Sequence, residues 1–216
     1  EQMKGNYLFP EEIEGKELYK EGITLIAGTD EAGRGPLCGP VVAAAVILPK
    51  NYTLEGLIDS KQLSEKKRDK FYDIIVKDAI SYAVGVVDAK TIDKINIYEA
   101  SRKAMLEAID GLSVKPEYVL TDAMPLPMEN SKAIIHGDAL SLNIAAASVI
   151  AKVTRDKMMY ELDEKYPMYG FKDHKGYPTK KHLEAIKKYG ILDNYRLTYK
   201  PVKALMEVND EEFVKE

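Results

Sequence analysis

The sequence predicts an α/β fold, a mixed sheet flanked by helices, from three features. Short apolar, β-branched runs are bounded by glycine or proline, longer stretches repeat apolar residues at helical spacing, and the two kinds of segment alternate along the chain. Residues 23–29 read as a buried strand that stops at the glycine-rich run 30–39, and residues 41–48, ended by Pro49, pair with it as a hairpin with an unusual turn. Ser64 caps a helix through Lys77, because Phe71, Ile74 and Ile75 recur at helical spacing. Residues 80–87 form a third strand. Residues 97–112, with Ala100, Ala104, Met105, Ala108 and Ile109 on one stripe, form a helix. Two short strands follow, 117–121 ending on Asp122 and 133–136 ending just before Asp138. The longest helical pattern, 141–166, contains Ala145, Ala146, Ala147 and Ser148, small enough to let it lie close to a sheet. A last capped helix spans 179–189 and closes at Gly190.

With 216 residues the chain can bury one good core, so one domain with a helical appendage is expected, and one compact domain predicts a monomer. Cys38 is the single cysteine, which excludes an intrachain disulfide, and no apolar run is long enough to span a bilayer. A cytoplasmic protein without a membrane partner is expected. The net charge of −4 argues against a polyanionic partner until its distribution is considered. Residues 1–22 carry −3 and residues 207–216 carry −4, which leaves +3 on 23–206. Six of those positive charges are lysines between 172 and 188, a stretch that reads either as a solvated helix face or as a phosphate-contacting surface.

The chemical clue is the placing of carboxylates. Asp30 and Asp122 fall at the ends of two different predicted strands, where α/β sheets carry their sites, and Asp138 stands at the entry to a helix. Glu31 adjoins Asp30, and two adjacent anions repel unless they are solvated or share a cation. Gly33, Arg34 and Gly35 follow at once, with glycines that allow close approach to a ligand. Hard divalent cations such as Mg²⁺ or Mn²⁺ take oxygen ligands of this kind, whereas three histidines and one cysteine make an ordinary zinc site a poor fit. Solvated turns, and a plain cap at Asp138, remain the structural alternatives.

The segment GTDEAGRGPLCGPVVAAAVILP at 28–49 resembles the opening signature of ribonuclease HII, the type 2 ribonuclease H. DSKQLSEKKR at 59–68, LTDAMPLP at 120–127, HGDALSLNIAAASVIAKVTRDKMM at 136–159 and HKGYPTKKH at 174–182 follow in that family's order and approximate spacing. The resemblance implies a ribonuclease H-like fold with a helical C-terminal part. It divides the chain into an acidic extension (1–22), a catalytic domain (23–201) and an acidic tail (202–216).

It further implies that Asp30, Glu31, Asp122 and Asp138 are the metal-binding catalytic group, with two Mg²⁺ or Mn²⁺ ions once substrate is bound. Gly33, Arg34 and Gly35 would contact the ribonucleotide and its 2′-hydroxyl, and Tyr177 would pack against the neighbouring sugar. Ser60 and Lys61 resemble phosphate contacts. The implied partners are an RNA/DNA hybrid, or a DNA duplex containing ribonucleotides, cut 5′ of the ribonucleotide to leave 3′-hydroxyl and 5′-phosphate ends. Ribonucleotide removal from DNA is the role this suggests.

Two departures from the family pattern stand out: Tyr195 where many relatives have a histidine, and Leu140 at a position that is often polar. Asp156 reads as a salt-bridged helix residue. Ribonuclease HIII is the nearest alternative, but it typically has Gly-Thr-Gly where Arg34 stands and a sizeable extra N-terminal domain. A catalytically silent hybrid-binding module is the alternative from another class. A sliding-clamp partner is possible for the family, but no convincing docking peptide is visible in the tail.

Overall fold

The computed structural model describes Leu18 and residues 22–213, apart from the side chains of 59–61 and 209–213. The expected acidic extension lies outside the described residues except for Leu18 and Gly22, as does the end of the tail, 214–216. Among the described residues five strands form one mixed sheet in the order β3-β2-β1-β4-β5. They are β1 (Ile26–Ala32), β2 (Val41–Ile47), β3 (Ser81–Val87), β4 (Tyr118–Asp122) and β5 (Ser131–Ile134). β1 is the pivot, antiparallel to β2 and parallel to β4.

Seven fully buried residues make β2 the centre of the core, and this explains its unbroken apolar run. Its alternate side chains go to opposite faces. Ala44 and Val46 join Ile75 of α1 (Glu65–Asp78) and the alanines of α4 (Leu142–Lys165) in one cluster. Val41 and Ala43 meet Ala104 and Met105 of α3 (Ile97–Asp110) in another. Helices therefore cover both faces. α4 lies very close to β1: a Cβ on Gly28 would stand 2.1 Å from the carbonyl carbon of Asn143, so only glycine fits there. The Asn143 side chain accepts a hydrogen bond from Leu48 N at 2.8 Å, tying the start of α4 to the end of β2.

Beyond the sheet α4 enters the helical C-terminal part. Met159 packs there with Phe171 of α5 (Phe171–His174), Ala185 and Ile186 of α6 (Lys180–Tyr189), Tyr195, and Val202 of α7 (Lys200–Phe213). α7 runs straight across the boundary expected at 201/202, and Val202 is wholly buried.

The caps at Ser64 and Thr179 form as expected, each accepting a backbone N–H from three residues on, and Ser141, expected as the first helical residue, caps α4 in the same way. β1 differs, beginning at Ile26 and running through Asp30 and Glu31 to Ala32. Antiparallel pairing with β2 as far as Ala32↔Val42 outweighs the glycine-rich signal that suggested an earlier stop. A helix that the sequence pattern does not announce, α2 (Ala89–Ile95), is capped by Asp88 and ends at Asn96, whose positive φ of 73° breaks it from α3. Seven residues are too few to display a helical period. Among the described residues no helix is long and apolar enough to cross a membrane.

Candidate active site

The parallel register of β1 and β4, which ends at Thr29↔Thr121, brings Asp30 beside Asp122 when carried one step further. β5 then delivers the third acid. The chain turns through His136 and Gly137, whose N–H donates to Asp122 Oδ1 at 3.0 Å, and a short 3-10 turn (Gly137–Ala139) holds Asp138 before Ser141 caps α4. One carboxylate oxygen from each of Asp30, Asp122 and Asp138 lies within 4.8 Å of the others. Asp30 is 5% exposed and Asp138 3%.

Glu31 stands outside this trio. Its Oε1 is 3.4 Å from Arg34 Nη1, while its buried Oε2 has no hydrogen-bond partner among the described residues.

Electrostatics make the cluster costly by itself. Burial, followed by the charges of Glu31, Asp122 and Asp138, holds the Asp30 carboxyl well above the usual range. Burial also pushes Glu31 up, against the pull of Arg34. A divalent cation reverses that logic. Three convergent oxygens and a buried, unpartnered fourth carboxylate oxygen fit a hard cation.

The cleft around Asp30, Glu31 and Asp122 is also lined by Gly33, Arg34, Gly35 and Tyr177. Gly33 has φ +93°, and a Cβ there would lie 2.2 Å from Arg155 Nε. A Cβ on Gly35 would lie 3.1 Å from the Tyr177 ring, so the glycine loop and the tyrosine abut.

Tyr177 is fixed from below. His182, wholly buried, bonds the Tyr177 carbonyl through Nδ1 at 2.8 Å and the Tyr195 hydroxyl through Nε2 at 2.6 Å. Desolvation pulls the pKa of His182 down to about 4, so the ring is neutral. A carbonyl can only accept, so Nδ1 carries the proton and the tyrosine O–H donates to Nε2. Tyr195 thus has a structural partner where many relatives of the resembled family have a histidine.

The backbone of Ser60 and Lys61 lies in a 3-10 helix (Leu57–Gln62), and their side chains lie outside the described residues. Asp156 is ion-paired, with Lys152 Nζ at 3.1 Å and Arg68 Nη2 at 3.9 Å. Arg68 and Lys152 line the cleft themselves and were missed in the sequence, as were the buried Arg155 and Arg196. Arg155 did leave a signal, since it continues the four-residue spacing of Ala147 and Ala151 down the buried stripe of α4.

The family model described as ribonuclease HII matches residues 27–202. A ribonuclease HII of Bacillus cereus is 56% identical over 191 residues, covering 88% of this chain and 74% of the relative. Among solved structures, the ribonuclease H2 of Pyrococcus horikoshii OT3 superposes with a TM-score of 0.74 at 29% identity, over 86% of this chain and 99% of that one. A Bst-RNase HIII in complex with Mn²⁺ gives a TM-score of 0.66 at 18% identity, over 87% and 71%, a likeness of fold alone.

Proposed function

The chain belongs to the ribonuclease HII family, and from that premise we propose that this ribonuclease H endonuclease cuts 5′ of ribonucleotides in DNA duplexes and hydrolyses the RNA strand of hybrids. The observation that carries the reading is the meeting of Asp30, Asp122 and Asp138 oxygens within 4.8 Å, where Asp30 and Asp122 line a cleft shared with Gly33, Arg34, Gly35 and Tyr177.

Asp30, Asp122 and Asp138, with Glu31 beside them, would hold divalent metal, Mg²⁺ or Mn²⁺, two ions once substrate is bound. Bound there, the metal supplies a nucleophilic water at neutral pH and neutralises charge on the departing 3′-oxygen. Gly33, Arg34 and Gly35 contact the ribonucleotide and its 2′-hydroxyl, the group that separates RNA from DNA. Tyr177, 42% exposed beside Gly35, packs on the adjoining sugar. Ser60, Lys61, Arg68 and Lys152 contact backbone phosphates, which positions the duplex without reading its bases. The protein acts as a monomer.

A duplex with one embedded ribonucleotide, incubated with Mg²⁺ or Mn²⁺, tests this. Cleavage by the wild type and strongly reduced cleavage by Asp30→Asn is expected; no cleavage by the intact protein, or full cleavage by Asp30→Asn, overturns it. A higher rate on a continuous hybrid than on the single ribonucleotide would favour ribonuclease HIII-like specificity.

A further inference from the structure

The loop that carries Gly33, Arg34 and Gly35 has almost no regular backbone pairing of its own, yet two buried arginines hold its carbonyls. Arg196, wholly buried, donates from Nη2 to Gly33 O at 2.6 Å and from Nη1 to Arg34 O at 3.0 Å and Pro36 O at 2.8 Å. Its Nε donates to Gly39 O at 3.1 Å. Arg155, 1% exposed, donates from Nη2 to Cys38 O at 3.0 Å and from Nε to Pro40 O at 2.9 Å. Its Nη1 crosses to Lys175 O at 2.8 Å, in the turn that leads to Tyr177.

The two side chains thus engage six carbonyls between residues 33 and 40 and tie them to the Tyr177 turn. Backbone bonds reinforce the tie, with Leu37 N donating to Gly176 O at 2.8 Å and Arg196 N to Leu37 O at 2.8 Å. Arg34 O is held a second time, by the Tyr199 hydroxyl at 2.6 Å, and that hydroxyl lies 3.0 Å from Arg196 Nη1, whose two N–H groups are shared among it, Arg34 O and Pro36 O.

A buried charge of this kind costs free energy unless it is fully hydrogen-bonded, and a planar fork with five donors can satisfy several carbonyls at fixed angles where lysine cannot. Neither arginine is among the residues lining the cleft, so neither is placed to touch the substrate.

We propose that Arg155 and Arg196 are positioning residues that set the separation of Gly33, Arg34 and Gly35 from Tyr177, and through it the preference for ribose over deoxyribose. This rests on the reading of those four residues as the ribose-contacting group. The acids sit on the sheet, on β1, β4 and the turn after β5, whereas these hydrogen bonds of the two arginines go to the 33–40 loop, Lys175 and Tyr199. Ribose preference and metal binding should therefore separate.

The experiment measures binding of the full chain, in Ca²⁺, to a DNA duplex with one ribonucleotide and to its all-DNA twin, alongside Mn²⁺ affinity without nucleic acid. Arg196→Lys keeps the charge but loses the fork. It is expected to lower the ribose-to-deoxyribose affinity ratio roughly ten-fold, the effect of about 1.4 kcal/mol, while Mn²⁺ affinity and all-DNA affinity stay near wild type. Tyr199→Phe, which removes one hydroxyl, is expected to lower the ratio about three-fold, as the loss of one modest hydrogen bond would, and it decides the matter if Arg196→Lys does not fold.

A merely structural role would lower thermal stability and all three affinities together, and that result overturns the proposal. An unchanged ratio in folded variants does the same while leaving the ribose reading intact. A wild type with equal affinity for both duplexes overturns the ribose reading and this inference with it.

Discussion

Asp30 is buried among Glu31, Asp122 and Asp138, and its carboxyl is held well above the usual range by burial and by those three charges. Such a group favours the fold while protonated, below its ordinary value near 3.9, and that contribution is lost as pH rises through the raised value. Asp30→Asn should therefore raise the unfolding temperature of the protein in chelator at neutral pH, by about 1–2 kcal/mol of stability, with the gain vanishing near pH 4. The same substitution should reduce cleavage on the order of a thousand-fold, the effect of roughly 4 kcal/mol.

His182 shows the opposite sign. Its pKa is pulled down to about 4 by desolvation, so its contribution is present above about pH 6.5 and is lost as pH falls toward 4. Thermal unfolding followed across that window should show the loss, and a flat profile would contradict it. Tyr195→Phe leaves His182 Nε2 without its donor and should cost about 1–3 kcal/mol. Asp30, Asp122 and Asp138 were legible in the sequence because carboxylates at the ends of apolar strands and at a helix entry are conspicuous, and the structure brings these three together. Arg196 was not, because arginine is ordinarily a surface residue and only the folded chain shows which carbonyls surround it, and Arg155 left only its place on the buried stripe of α4.

At the scale of elements, legibility followed the local signals. α1 and α6 announce themselves by hydroxyl caps and α4 by its long apolar pattern, and the structure places them within a residue of the expected bounds. β1 and α2 were misjudged for physical reasons. The end of β1 is decided by its long-range pairing with β2, and α2 is too short to show a period. The same dependence on partners makes Gly28 a sensitive position. A methyl group there would meet the Asn143 backbone at 2.1 Å and force the start of α4, which follows directly on the Asp138 turn, away from β1. Gly28→Ala should destabilise by roughly 3 kcal/mol or more and weaken Mn²⁺ binding. Unaltered chemical denaturation of that variant would show that the contact relaxes at little cost.

The whole molecule divides its labour between a sheet that gathers the acids and a helical part that carries Tyr177, with α4 and residues 33–40 joining the two. Its overall charge of −4 hides a positive balance over 23–206, and Arg68 and Lys152 lie in the cleft itself. Affinity for a duplex should accordingly fall steeply between low and physiological salt, as counterion release requires. The most direct measurement is end-mapping of the products from a duplex with one embedded ribonucleotide, with Mn²⁺ and with chelator. Metal-dependent cleavage on the 5′ side of the ribonucleotide, leaving a 3′-hydroxyl and a 5′-phosphate, is the predicted result. A 2′,3′-cyclic phosphate formed in chelator would mean that the ribose itself attacks, and it would contradict the account.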